Sequence, residues 1–290
     1  MTDDLLSGNQ IHLADNLDLL CKLPDGSIPL IYIDPPFNTG RIQTRTRIRT
    51  SRSIDGPGDR TGFLGQRYQT TQLGTSQFAD SFDDYLAFLE PRLIEAHRVL
   101  APNGTLYVHL DYREVHYVKV MLDGIFGRDS FINEIIWAYD YGARARRKWP
   151  AKHDTILMYA KNPKVFTFNV DDIDREPYMA PGLVGPEKAA RGKLPTDTWW
   201  HTIVPTVGTE RTGYPTQKPL GILRRMIRAS SDPRDLVLDF FAGSGTTGMA
   251  AHELGRRFLL VDSQESALQV MQERFRDVEG VRFVGYEPVS

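Results

Sequence analysis

Two short stretches carry residues able to act together on an aromatic amine. The first is Asp34-Pro35-Pro36-Phe37, which follows the apolar run Leu30-Ile31-Tyr32-Ile33. An amine conjugated to a ring is a poor nucleophile because its lone pair is delocalised. A carboxylate and a carbonyl that accept its two N–H bonds draw it toward a pyramidal, reactive geometry. Asp34 and the carbonyl of Pro35 are residues of that kind, and consecutive prolines hold them rigidly. Phe37 offers a face on which an extruded ring can stack. Taken alone, the same four residues are also an ordinary strand-ending turn.

The second stretch is Asp239-Phe240-Phe241-Ala242-Gly243-Ser244-Gly245-Thr246-Thr247-Gly248, after the apolar Leu236-Val237-Leu238. Missing side chains at Gly243 and Gly245 let a ligand approach the backbone. Asp262, which closes the next apolar run, can accept hydrogen bonds from a ribose. The spacing satisfies the GxGxxG pattern, which alone fits NAD as well as S-adenosylmethionine. Asp239 argues against a pyrophosphate, which it would repel, and for a cationic amino group. A tight turn without ligand is the plainer alternative.

The elements between them predict an α/β chain. Asp15 caps a short helix with Leu17, Leu20 and Cys21 on one face. Leu30–Ile33, Thr105–Leu110, Ile135–Trp137, Thr155–Tyr159, Leu236–Asp239 and Phe258–Val261 read as strands, and Val281–Val284 as an edge strand. Helices are expected over Leu86–Leu100, with Pro91 as a kink, and over Pro219–Ala229, the turn to Leu254, and Ser266–Phe275. Such alternation predicts a doubly wound, mostly parallel sheet. Three spans follow: 1–138 as a catalytic half, 139–213 as a loop-rich insertion, and 214–290 as a cofactor-binding half.

Two basic stretches interrupt the pattern. From 41 to 77, Arg41, Arg45, Arg47 and Arg49 stand among Thr, Ser and Gln without apolar periodicity, which predicts a long mobile basic loop. Arg144, Arg146, Arg147 and Lys148 interleave with Tyr139, Tyr141 and Trp149. Both stretches suit phosphate contacts, although solvated surface charge is the plainer account. The net charge of −2 does not exclude nucleic acid, because local patches make the contacts. With no apolar run near 18 residues and no signal-peptide pattern, a cytoplasmic protein is expected. A single cysteine rules out an intramolecular disulfide and a Cys-rich zinc site. Cys21 reads as core, which argues against cytosine C5 chemistry, where a thiolate must add to the ring. His109, His153 and His201 lack metal-ligand spacing, so no metal is expected. Trp199 and Trp200 read as core of the insertion.

The motifs DPPFNTG (34–40) and DFFAGSGTTG (239–248), in that order, resemble the β class of DNA amino-methyltransferases, which are circularly permuted. YPTQKP (214–219), FGRDSFINEIIW (126–137) and KHDTILMYAK (152–161) extend the likeness to most of the chain, apart from 41–77 and about 162–213. The resemblance implies a Rossmann-like S-adenosylmethionine-dependent fold with 139–213 as target-recognition lobe. It implies catalytic roles for Asp34, Pro35, Pro36 and Phe37. It implies that Asp15, Asp34, Thr216, Lys218, Pro219, Asp239, Phe241, Ala242, Gly243, Ser244, Gly245, Thr246, Thr247 and Asp262 hold the cofactor. Double-stranded DNA is the implied partner. A homodimer and a cognate restriction endonuclease are compatible with it. Asp at position 34 resembles the adenine-N6 enzymes; cytosine-N4 transfer stays open. An NAD-dependent oxidoreductase would leave Asp34–Phe37 and the arginines unexplained. A non-catalytic DNA-binding regulator would leave both intact motifs without a use.

Overall fold

A computed structural model describes residues 2–37, 41–52, 60–61, 67–80, 84–140, 145–205 and 210–287, with the backbone alone over 2–3, 41–52, 60–61 and 67–80. Helix α1 (Thr2–Leu5) and strand β1 (Asn9–Leu13) lead to α2 (Asn16–Leu20) and β2 (Ile28–Ile33). A hairpin of β3 (Arg41–Arg52), β4 (Arg60–Thr61) and β5 (Arg67–Asp80) follows. Then come α3 (Tyr85–Val99), β6 (Leu100–Leu110), α4 (Val115–Phe126), β7 (Phe131–Ala138) and β8 (His153–Ala160). After α5 (Pro186–Arg191) and β9 (Thr198–Trp200), the chain closes with α6 (Leu220–Ser230), β10 (Leu236–Asp239), α7 (Thr246–Glu253), β11 (Arg257–Asp262), α8 (Glu265–Arg274) and β12 (Val281–Val284).

Nine strands form one sheet in the order β12-β1-β11-β10-β2-β6-β8-β7-β9. From β12 to β6 every pairing is parallel; β8 runs antiparallel to both β6 and β7. Alternate residues of each strand feed two cores. Ile31, Ile33 and Leu238 pack with Leu20, Leu93 and Val118 of α2, α3 and α4. Leu30, Tyr32 and Val237 pack with Leu223, Ala250 and Leu268 of α6, α7 and α8. Helices on both faces explain why the central strands are continuously apolar rather than alternating.

The structure departs from the sequence expectation within 41–80, at Cys21 and at Trp200, and it adds helix α4. Residues 41–52 and 67–80 are paired antiparallel strands, from Arg41 opposite Asp80 to Arg52 opposite Tyr68, not a loop. Arg45, Arg47 and Arg49 alternate with the β-branched Thr44, Thr46, Ile48 and Thr50, a period-2 pattern that a search for apolar residues overlooks. Within the span 139–213, β8 and β9 are strands of the main sheet. Cys21 is exposed at the C-cap of α2, whose buried side is instead Asn16, Leu19 and Leu20. Trp199 is buried as expected, whereas Trp200 is 75% exposed.

Candidate active site

Strand β2 pairs with β10 in parallel, Leu30 opposite Val237 and Ile31 opposite Leu238. Sequence order reverses at this pair, and the crevice at the carboxyl ends of such strands is where open α/β sheets place ligands. Asp34 leaves β2 there and Asp239 ends β10. A cleft of about 500 Å³ opens between them.

Asp34 is held from a distant part of the chain. Its Oδ2 accepts from Nζ of Lys218, 184 residues away in sequence. Its Oδ1 is buried and has no hydrogen-bond partner among the described residues. The Lys218 ammonium also lies 4.6 Å from the centre of the Phe37 ring. Pro35, Pro36 and Phe37 line the cleft beside Asp34.

On the β10 side the chain turns through Gly243 and Gly245, at φ of 50° and 74°. Asp239 accepts from the Phe241 N–H at 3.0 Å and the Thr247 hydroxyl at 2.6 Å. Burial, with Asp34 and Asp262 adding negative charge nearby, pushes the Asp239 carboxyl up to about 7. Asp262 accepts from the N–H groups of Gly243 and Gln264, each at 2.8 Å, and burial raises its carboxyl as well. Gly245 needs no side chain for a reason other than ligand approach. A Cβ there would stand 2.8 Å from Met271 Cγ and 2.9 Å from Phe275 Cε2, so its bare side faces α8 and it does not line the cleft. A Cβ on Gly243 would meet the Tyr214 ring at 3.1 Å, and Gly243 does line the cleft.

The remaining residues expected at the cofactor divide similarly. Asp15, Thr216, Lys218, Phe241, Ala242, Ser244, Thr246 and Thr247 line the cleft. Pro219 lies outside it as the N-cap of α6. Three supports escape a reading of the sequence. Asn16 donates to the Phe240 carbonyl at 2.8 Å and accepts from Arg92 Nε at 2.6 Å, and Arg92 reaches Asp15 at 3.3 Å. Arg274 donates to the Ser244 carbonyl and to the Thr246 hydroxyl, both at 2.9 Å, bracing the glycine turn. Burial lowers the Arg274 guanidinium to about 10. Behind Phe37, Tyr32 hydroxyl meets His109 Nδ1 at 2.9 Å and His109 Nε2 meets Asp154 at 3.3 Å. The signal for Arg92 is a charged residue on the apolar side of a helix, between Leu89 and Leu93. Asn16 and Arg274 have no such signal.

Of the basic residues, Arg146, Arg147 and Lys148 are exposed, as is Trp149 at 94%. Arg144 lies outside the described residues, as do the side chains of Arg41, Arg45, Arg47 and Arg49. No group of three or more His, Cys, Asp or Glu able to hold a metal occurs among the described residues. Among them, too, no helix is long and apolar enough to cross a membrane.

The donor set fits S-adenosylmethionine. Four carboxylates line the cleft, Asp15, Asp34, Asp239 and Asp262, against two cations, Arg92 and Lys218, each already paired with one of them. The surplus negative charge suits a ligand carrying a sulfonium and an ammonium, and opposes the two phosphates of a dinucleotide.

Fold and site together define a Rossmann-like methyltransferase. The chain belongs to the DNA methylase family of N6 and N4 methyltransferases, whose model matches residues 28–273. It is 32% identical over 274 residues to the type II methyltransferase M.HpaI of Haemophilus parainfluenzae, across 94% of this chain and 74% of that protein. It is 30% identical over 257 residues to the DNA adenine methyltransferase YhdJ of Escherichia coli K12, across 86% and 76%. Among solved structures, the cytosine-N4-specific PvuII DNA methyltransferase shares the fold with a TM-score of 0.65 at 16% identity, covering 94% of this chain and 88% of that one. The M1.HpyAVI–SAM complex does so at 0.57 and 20% identity, covering 92% and 98%.

Proposed function

We propose that the chain transfers a methyl group from S-adenosylmethionine to adenine N6 of a base flipped out of double-stranded DNA. One observation carries the reading: Asp34, with an open and buried Oδ1, faces the same cleft as the Asp239–Asp262 turn. The target amine is out of reach within a duplex, so the base must leave the stack at a cost of a few kcal/mol. Phe37 then stacks on it. Asp34 Oδ1 and the Pro35 carbonyl accept its N–H bonds, turning the lone pair out of conjugation. Asp239 and Asp262 hold the amino and ribose ends of the cofactor, whose sulfonium supplies an electrophilic methyl. In-line attack needs proximity and desolvation, without covalent enzyme adducts. The methylated nitrogen loses its proton toward Asp34 or solvent. Exposed Arg146, Arg147 and Lys148, with Arg41, Arg45, Arg47 and Arg49 of the hairpin, would grip the phosphates.

Adenine is favoured because Asp34 resembles the residue of the N6 enzymes and because the relative YhdJ is named an adenine methyltransferase. The test is mass spectrometry of nucleosides from DNA incubated with the enzyme and isotopically labelled cofactor. Labelled N6-methyladenine is expected; labelled N4-methylcytosine would move the assignment to the other amine, and no label on DNA would defeat the reading.

A further inference from the structure

We propose that Lys218 is the positioning residue of the amine site, holding Asp34 by Oδ2 and Phe37 by its ring so that Oδ1 stays aimed at the target N–H. The proposal rests on the amine-transfer reading above and assigns within it a role apart from cofactor contact.

An ammonium as buried as this one, with an 8% exposed side chain, needs a partner to offset its lost hydration. Asp34 is that partner, itself only 15% exposed. The two carboxylate oxygens are thereby divided. Oδ2 belongs to Lys218, while Oδ1, buried and without a partner among the described residues, is left for an incoming donor. A buried acceptor left open is costly unless a ligand donates to it. The same ammonium sits 4.6 Å from the Phe37 centroid, so one cation fixes both side chains that must meet the base.

The lysine is itself anchored. Gln217 Oε1 accepts from the Thr212 N–H and hydroxyl, both at 2.8 Å, and its Nε2 donates to the Glu210 carbonyl at 2.7 Å. Glu210 Oε1 accepts from the Leu220 N–H at 2.6 Å, at the start of α6. Pro219 between them has a fixed φ. Lys218 therefore stands on a backbone tied down on both sides. A side chain that only walled the cofactor pocket would not need to bind Asp34 and Phe37 as well.

The test compares wild type, Lys218→Gln and Lys218→Arg, with the double variant Lys218→Gln/Asp34→Asn. Thermal melting shows that each folds, and the Arg variant keeps a cation should the Gln variant fail to. Cofactor affinity is measured by calorimetry, kcat at saturating cofactor and DNA, and base extrusion by a fluorescent analogue at the target position without cofactor. Lys218→Gln should lower kcat by about a hundredfold, the scale of a misplaced reacting group. Whatever the change in cofactor affinity, the loss in kcat should persist at saturating cofactor, Lys218→Arg should restore part of it, and the extrusion signal should change no further when Asp34→Asn is added. Loss of cofactor affinity with kcat retained at saturation would overturn the proposal, as would additive effects of the two substitutions on extrusion. A wild-type enzyme that labels neither base amine removes the amine-transfer reading, and the proposal with it.

Discussion

Asp34 and Asp239 do opposite things with a buried charge. Asp34 keeps an ion-pair partner and one open oxygen, which leaves it able to accept from an incoming donor. Asp34→Ala should lower transfer by at least about a hundredfold, as loss of a preorganised polar group does, while calorimetry still detects the cofactor. Normal turnover would remove the role. Asp239 is 2% exposed and its carboxyl is raised to about 7 by burial. Between the ordinary value of 3.8 and about 7 the folded chain keeps a proton that the unfolded chain has released. Its contribution to stability is therefore lost as pH rises through that window. Asp239→Asn should flatten the pH dependence of the urea midpoint between about pH 4 and about pH 7. A cationic ligand beside Asp239 favours the ionised form. Cofactor affinity should thus rise with pH through about 7, with protons released on binding, and the Asn variant should lack both effects in calorimetry. These two aspartates are legible in the sequence because each ends an apolar run next to a proline or glycine signal. Asn16 and Arg274 are not legible, since their roles come from partners brought near only by folding.

At the scale of elements, the glycine turn shows how a correct motif can be given an incomplete reason. Gly245 is required by its φ of 74° and by Met271 and Phe275 beside it. Gly245→Ala should therefore destabilise the fold by about 1–3 kcal/mol, read as a lower urea midpoint at unchanged slope. If stability held and only cofactor affinity fell, the packing account would be wrong. The strands of the main sheet are legible because burial on both faces makes them short apolar runs. The hairpin β3–β5 is not, because its period-2 pattern is written in Thr and Arg rather than in apolar residues. Helix α4 is likewise absent from the sequence expectation, although Val115, Val118, Leu122 and Phe126 form its buried stripe at helical spacing. Apolar residues off that stripe, among them the exposed Tyr117 and Val120, blur it when the segment is read without its neighbours.

For the whole molecule, a formal charge of −2 coexists with exposed cations at Arg146, Arg147 and Lys148 and with the arginines of the hairpin. Replacing Arg45, Arg47 and Arg49 with Gln should weaken DNA binding uniformly across sequences. The slope of log affinity against log salt should fall by about 0.9 for each phosphate no longer neutralised. An unchanged slope would take the hairpin off the DNA backbone. The sheet order has a further consequence, for the nascent chain. Strand β1 precedes the other strands, yet its partners, β11 and β12, are the last two of the described strands to be made. Likewise β2 lacks its neighbour β10 until residue 239 is out. Such long-range pairing is slow and leaves strand edges open during synthesis. A chain arrested on the ribosome after β9 should be cut readily by protease at β1, and protection there should appear only once β12 has left the exit tunnel. The cleft, which needs Asp34 after β2 and Asp239 at the end of β10, would then be complete only once β10 has left the tunnel.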